Sequence, residues 1–140
     1  MNIIYTKEMD SITESMLSNF FVGWPNPPSP AMHLKILRNS YRAILAVDTE
    51  INMVVGFINA ISDGVLTAYI PLLEVTESHQ GKQIGSWLVK LMLEECKDLY
   101  MVDICHDENL KPYYAKFEPT GQIYGTVFRN YATQSGRADA

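Results

Sequence analysis

The stretch Val75-Thr76-Glu77-Ser78-His79-Gln80-Gly81-Lys82-Gln83-Ile84-Gly85-Ser86 concentrates features that chemistry can use. A run of β formers ends at Val75, a polar turn with glycine follows, and helical spacing begins at Ile84. The first amides of a helix have no intrahelical acceptor. Such a turn can therefore aim backbone N–H groups at an anion, and glycine lets the anion come close. A chain without a lysine cluster can bind a pyrophosphate in this way. An ordinary strand-to-helix turn has the same pattern, and the residues alone leave both readings open. Two other phosphate motifs do not fit. A Walker loop needs Gly-Lys followed by Ser or Thr, but Lys82 is followed by Gln83. A dinucleotide fingerprint needs a tighter glycine triplet inside a parallel βαβ unit, and the strands before this turn are spaced as antiparallel hairpins.

The elements that position this turn follow from periodicity. Asn2 to Lys7 is predicted as a strand, and Ser11 to Phe20 as a helix, with Ile12, Met16, Leu17 and Phe20 on one side. Four prolines between Trp24 and Ala31 stop regular structure, and a second helix is predicted over Ala31 to Leu37. Ala43 to Val47, Val54 to Ile58 and Leu66 to Val75 are rich in β formers. They are separated by the polar turn Asp48 to Asn52 and by Asp63-Gly64, which makes a three-strand antiparallel meander. Pro71 inside the third strand cannot donate to a ladder and marks an edge or bulge. Ile84 to Lys97 is the clearest helix, with Leu88, Leu91, Met92 and Cys96 on one side. Tyr100 to Cys105 reads as a strand, Leu110 to Phe117 as a short helix and Ile123 to Tyr131 as a closing strand, with Thr133 to Ala140 as a frayed tail. The expected fold class is α/β (α+β): one domain over 1–140, with a mixed, mostly antiparallel sheet flanked by helices.

Composition excludes several functions. In 140 residues, 11 Lys and Arg face 16 Asp and Glu, a net charge of −5, with no basic run, so nucleic acid is not an expected partner. Cys96 and Cys105 fit neither a paired-cysteine zinc site nor a disulfide framework, and with His79 and His106 they have no metal-ligand spacing. No metal is expected. No basic segment precedes an apolar one at the amino terminus, and no apolar run approaches the ~20 residues that span a bilayer. No membrane partner and a cytoplasmic location are the resulting expectations.

The turn resembles the signature of the GNAT superfamily of N-acetyltransferases: Arg or Gln, two residues, Gly, one residue, then Gly or Ala. Here it reads Gln80-Gly81-Lys82-Gln83-Ile84-Gly85, with Gln83 in place of the first motif glycine. Ile70-Pro71-Leu72-Leu73-Glu74-Val75 is similar to the family's fourth strand. Pro112-Tyr113-Tyr114-Ala115-Lys116-Phe117 resembles its Phe-Tyr-x-Lys-Leu-Gly-Phe helix, with Glu118 at the usual glycine. The likeness is close from about Tyr41 to Phe117 and continues as element order elsewhere.

The resemblance implies that the fourth and fifth strands splay apart around acetyl-CoA, the acyl donor. Main-chain groups of Leu73 to Val75 would hold the pantetheine amides, and those of Gln80, Gly81, Lys82, Gln83, Ile84, Gly85 and Ser86 the pyrophosphate. It also implies transfer of an acetyl group to a primary amine by direct attack, with Tyr114 protonating the departing thiolate. Glu74 is the candidate base, with Asp103 and His106 behind it and His79 a turn residue. Trp24 lies in the stretch that covers the acceptor, where it either lines an amine pocket or plugs the core. Two other readings remain: a non-catalytic acyl-CoA-binding module, and an acetyltransferase acting on a protein amino terminus or lysine. The acceptor is then a small amine or a peptide amine, and a homodimer is compatible with the resemblance.

Overall fold

The computed structural model describes residues 1–139. Five strands form one sheet in the order β1-β2-β3-β4-β5: β1 Ile3–Thr6, β2 Arg42–Asp48, β3 Met53–Ser62, β4 Thr67–Val75 and β5 Met101–Ile104. The first three pairings are antiparallel and β4–β5 is parallel. The helices are α1 Pro30–Arg38, α2 Ile84–Glu95 and α3 Lys111–Ala115. This is the expected α/β domain. Among the described residues, no helix is long and apolar enough to cross a membrane.

β2 and β3 are apolar along nearly their whole length because both faces of the sheet are covered there. Ala43, Leu45, Val47 and Phe57 pack with Leu34 and Leu37 of α1 and with Met16, Leu17 and Phe20. Ile44, Ala46 and Ile58 pack on the opposite face with Ile84, Leu88 and Met92 of α2. Gly56 sets the depth of that second contact, since a Cβ there would lie 3.1 Å from both Ile84 and Leu88. Ser29 starts α1 by accepting the Met32 N–H at 3.1 Å, and Pro30 occupies the first turn, where no donor is needed.

Two expectations change. The helix predicted over Ser11 to Phe20 is only a 3-10 turn, Glu14–Leu17. Thr13 gives it no side-chain cap, its hydroxyl bonding Ser15 instead, and the chain reverses at Phe21 with φ +62°. The apolar residues that suggested a helix are nevertheless buried. The predicted strand Ile123 to Tyr131 pairs with nothing. Its two ends are held on opposite faces of the sheet: Phe117 packs in the α2-side core, and Gln134 accepts the Asn26 N–H at 2.9 Å ahead of α1. Between these contacts Gly125 lies beside Cys105, next to the end of β5. Within the predicted tail Gly136 sits against Met32, so closely that a Cβ would approach Cγ to 2.8 Å. Ala140 lies outside the described residues.

Candidate active site

Pro71 marks a real irregularity. Asn59 pairs with Leu72 and Ile61 with Tyr69, so β4 carries one extra residue opposite Ala60, at Ile70-Pro71. β5 pairs only with Thr67 to Ile70. Beyond Pro71, β4 keeps β3 on one side and has no strand on the other. The Thr76 N–H donates to the Val55 carbonyl at 2.8 Å, so even-numbered positions of this stretch direct their main-chain groups to β3. Direction alternates along a strand, so those of Leu73 and Val75 point into the gap β5 has left. The Gln80 side-chain amide donates to the Val75 carbonyl at 3.0 Å, which ties the turn to the strand end.

The turn itself is built to leave amides free. Gly81 has φ +73° and Gln83 φ +67°, both left-handed, so the backbone coils tightly before α2 starts at Ile84. Among the described residues, none of the amides from Gly81 to Ser86 donates to a protein acceptor. The positive end of the α2 dipole adds to their pull on an anion. Lys116 of the α3 segment donates to the buried Ser86 hydroxyl at 2.6 Å, its ammonium 4.1 Å from the Tyr113 ring centroid. No carboxylate pairs with Lys116 among the described residues. A cation beside a helix start is unfavourable by itself and favourable once an anion sits between them. The Tyr113 hydroxyl lies 3.4 Å from Ser86 Oγ, and a Cβ on Gly85 would meet it at 3.3 Å. Gly85 thus admits α3 as well as an anion.

The titratable residues approach the gap from two faces. Glu74 lies opposite Phe57, on the α1 face, and its carboxylate accepts the N–H groups of Phe21 at 2.8 Å and Val22 at 3.4 Å. Tyr114 packs in the α2-side core with Leu73, Val75 and Ile104. Burial, with a smaller contribution from Tyr113, pushes its phenol up to about 12. The His106 ring stacks on Tyr114 at 4.6 Å, with Nδ1–H donating to the Asp107 carbonyl at 2.8 Å. Asp103 pairs with Tyr69 across β4–β5, before the strands separate. Trp24 is partly exposed and tilts against Phe21 at 4.9 Å, so it belongs to the loop over the gap and not to the core. An open cleft of about 660 Å³ between Ser18–Val22 and Thr76–Ser78 borders the same loop.

His79 is buried, more than a turn residue would be, and bridges Ser78 Oγ at 2.7 Å and Asp48 Oδ2 at 2.9 Å. That link pins the turn to the end of β2. Nothing in the spacing announces it, since Asp48 and His79 are 31 positions apart. Lys116 and Tyr113 were legible only as motif positions. No cluster of three or more His, Cys, Asp or Glu residues could hold a metal among the described residues.

A family model for the acetyltransferase (GNAT) family matches residues 9–118. The chain belongs to that family. Its chemistry is acyl transfer. No curated protein matches the chain. Among solved structures it is similar to a candidate acetyltransferase of Deinococcus radiodurans R1, 37% identical, with a TM-score of 0.92 over 96% of this chain and 93% of that one. The glucosamine-6-phosphate N-acetyltransferase of Arabidopsis thaliana shares the fold at 11% identity and a TM-score of 0.70, over 92% and 99%. An aminoglycoside acetyltransferase from an uncultured soil metagenomic sample does so at 18% and 0.62, over 93% and 97%. Both departures from the GNAT pattern fall at left-handed positions: Gln83 at φ +67° and Glu118 at φ +55° stand where the family has glycine. At such positions glycine has no Cβ penalty, and these residues carry the strain that it would avoid.

Proposed function

We propose that this GNAT protein transfers the acetyl group of acetyl-CoA to a primary amine by direct attack. The observation that carries the reading is the gap beyond Pro71, where Leu73 and Val75 direct main-chain groups into open space beside a turn of undonated amides. Pantetheine amides can pair there as an added strand would, and a pyrophosphate can take the Gly81 to Ser86 amides with Lys116 alongside.

Glu74 takes a proton from the ammonium, directly or through water. The neutral amine attacks the thioester carbonyl carbon, the tetrahedral adduct collapses with cleavage of the C–S bond, and the second proton leaves the nitrogen for solvent while the thiolate is protonated to the free thiol. Tyr114 gives the departing sulfur a hydrogen bond or its proton. With the phenol at about 12, against about 8.5 for a free thiol, complete transfer is uphill, so the larger share of the effect is a hydrogen bond to sulfur as charge develops. The acceptor is a small amine or a peptide amine. Amino sugars and aminoglycosides, named for two fold neighbours, head the panel to assay. The donor's metabolism makes the cytoplasm the working compartment.

Saturating acetyl-CoA is the test. At 100 times its dissociation constant, a ligand stabilises the fold by about 2.7 kcal/mol, and an amine panel should reveal thiol release. No melting shift and no heat of binding would remove the reading. Gly85→Asp, which places a carboxylate against both the anion and the Tyr113 hydroxyl, should abolish the shift.

A further inference from the structure

Asp48, His79 and Ser78 form a hydrogen-bonded chain that acyl transfer in the β4–β5 gap does not use. Asp48 ends β2 and is buried, and its Oδ1 accepts the N–H groups of Asn2 at 3.2 Å and Glu50 at 3.1 Å. Its Oδ2 lies 2.9 Å from His79 Nε2, and His79 Nδ1 lies 2.7 Å from Ser78 Oγ. The bond to His79 is the largest of the contacts that hold the Asp48 carboxyl below its ordinary value, so this group is a carboxylate.

That charge fixes where the protons sit. A carboxylate only accepts, so the N–H of a neutral His79 ring is on Nε2 and donates to Asp48. Nδ1 is left with its lone pair, and the Ser78 hydroxyl donates to it. A hydroxyl held on an imidazole whose far side is fixed by a buried carboxylate is the arrangement that makes serine a nucleophile. Either ring nitrogen can take the proton, because the roles are set by geometry.

Ser78 is exposed, whereas His79 and Asp48 are buried. It opens on the cleft of about 660 Å³ whose other wall is Ser18–Val22. A cleft of that size admits a small molecule. Asn19 on the facing wall carries an amide of the kind that stabilises an oxyanion, and Phe20 and Val22 make part of the lining apolar. Glu77 also lines the cleft and repels anions. The lining therefore suits an uncharged ester with short carbon chains.

We propose that Ser78, His79 and Asp48 are a second catalytic site, which hydrolyses small uncharged carboxylic esters. Ser78 Oγ bonds to the ester carbonyl carbon as its proton passes to His79 Nδ1, and Asp48 stabilises the imidazolium. The adduct collapses, the C–O bond to the alcohol breaks, and Nδ1 returns the proton to the leaving oxygen. Water then attacks the acyl-serine by the same route, which releases the acid and restores the hydroxyl. None of the residues assigned to acetyl-CoA takes part.

The probes are p-nitrophenyl acetate and diisopropyl fluorophosphate. The full chain should release nitrophenolate with turnover, and mass spectrometry should place a diisopropylphosphoryl group on Ser78. Ser78→Ala removes an exposed hydroxyl, so it should keep the wild-type melting temperature and response to acetyl-CoA while losing both reactions. Asp48→Asn keeps an oxygen for the Asn2 and Glu50 amides but turns an N–H toward His79, which drives the ring proton to Nδ1. In a chain that circular dichroism shows folded, it should slow hydrolysis by about 10⁴-fold. Hydrolysis no faster than with free imidazole overturns the proposal, and so does labelling at another residue. Full activity in either variant overturns it as well.

Discussion

The carboxylate of Glu74 accepts the backbone N–H of Phe21 at 2.8 Å, so the proposed base also fixes the loop that covers its side of the gap. The two roles separate by substitution. Glu74→Gln keeps a carbonyl oxygen for Phe21 but cannot take a proton. Turnover should fall by about 10²–10⁴-fold with little change in melting temperature, and the residual activity should climb with pH as the amine deprotonates itself. Glu74→Ala should lower both activity and stability. Full activity in the Gln variant would move the base to water or to Asp103.

Tyr114 packs with Leu73 and Val75 on the opposite face of the sheet from Glu74. Tyr114→Phe keeps the ring against His106 and the core, and removes only the hydroxyl. It should cost about 10²–10⁴-fold in kcat and leave acetyl-CoA affinity unchanged. Because burial raises the phenol to about 12, it stays protonated across any assay range. The wild-type pH–rate profile should therefore show no alkaline fall from this residue below about pH 11. Unchanged turnover in the Phe variant would mean that sulfur leaves with help from water alone.

Gln83 occupies a left-handed position at the start of α2 and makes no side-chain cap. Gln83→Gly should remove a backbone strain of about 1 kcal/mol, partly offset by the freedom glycine gains in the unfolded chain. Melting temperature should hold or rise slightly, and acetyl-CoA affinity should hold or improve. A large loss of affinity in calorimetry would show that the Gln83 amide is itself a ligand.

His33 is buried among Phe20, Phe21 and Phe57 with neither ring nitrogen hydrogen-bonded, and burial lowers it from 6.5 to about 4. The folded state excludes the proton that the unfolded chain accepts. Stability should accordingly fall as pH drops from about 6.5 to about 4, with no further loss from this group below that. His33→Phe should flatten this part of a denaturant-midpoint profile and cost nothing at pH 7, since two orphaned nitrogens disappear. An unaltered profile would assign the acid sensitivity to other groups.

The sequence by itself determined the elements whose signals are local. The β2–β3–β4 meander and α2 show in apolar periodicity and in turns such as Asp63-Gly64, because a neighbour or two fixes each of them. The turn from Gln80 to Ser86 was legible for the same reason, as was the trouble at Pro71, since a missing donor has one structural meaning. Only the tertiary structure decided the rest. Periodicity marked Ile12, Met16, Leu17 and Phe20 as buried, yet it could not show that the reversal at Phe21 leaves them one 3-10 turn. Ile123 to Phe128 have β-forming side chains, but a strand exists only where a partner edge can be reached. In this fold no strand edge pairs with it. The bond from Glu74 to Phe21 and the pairing of His79 with Asp48 likewise join residues far apart in the chain, and only folding brings them within reach.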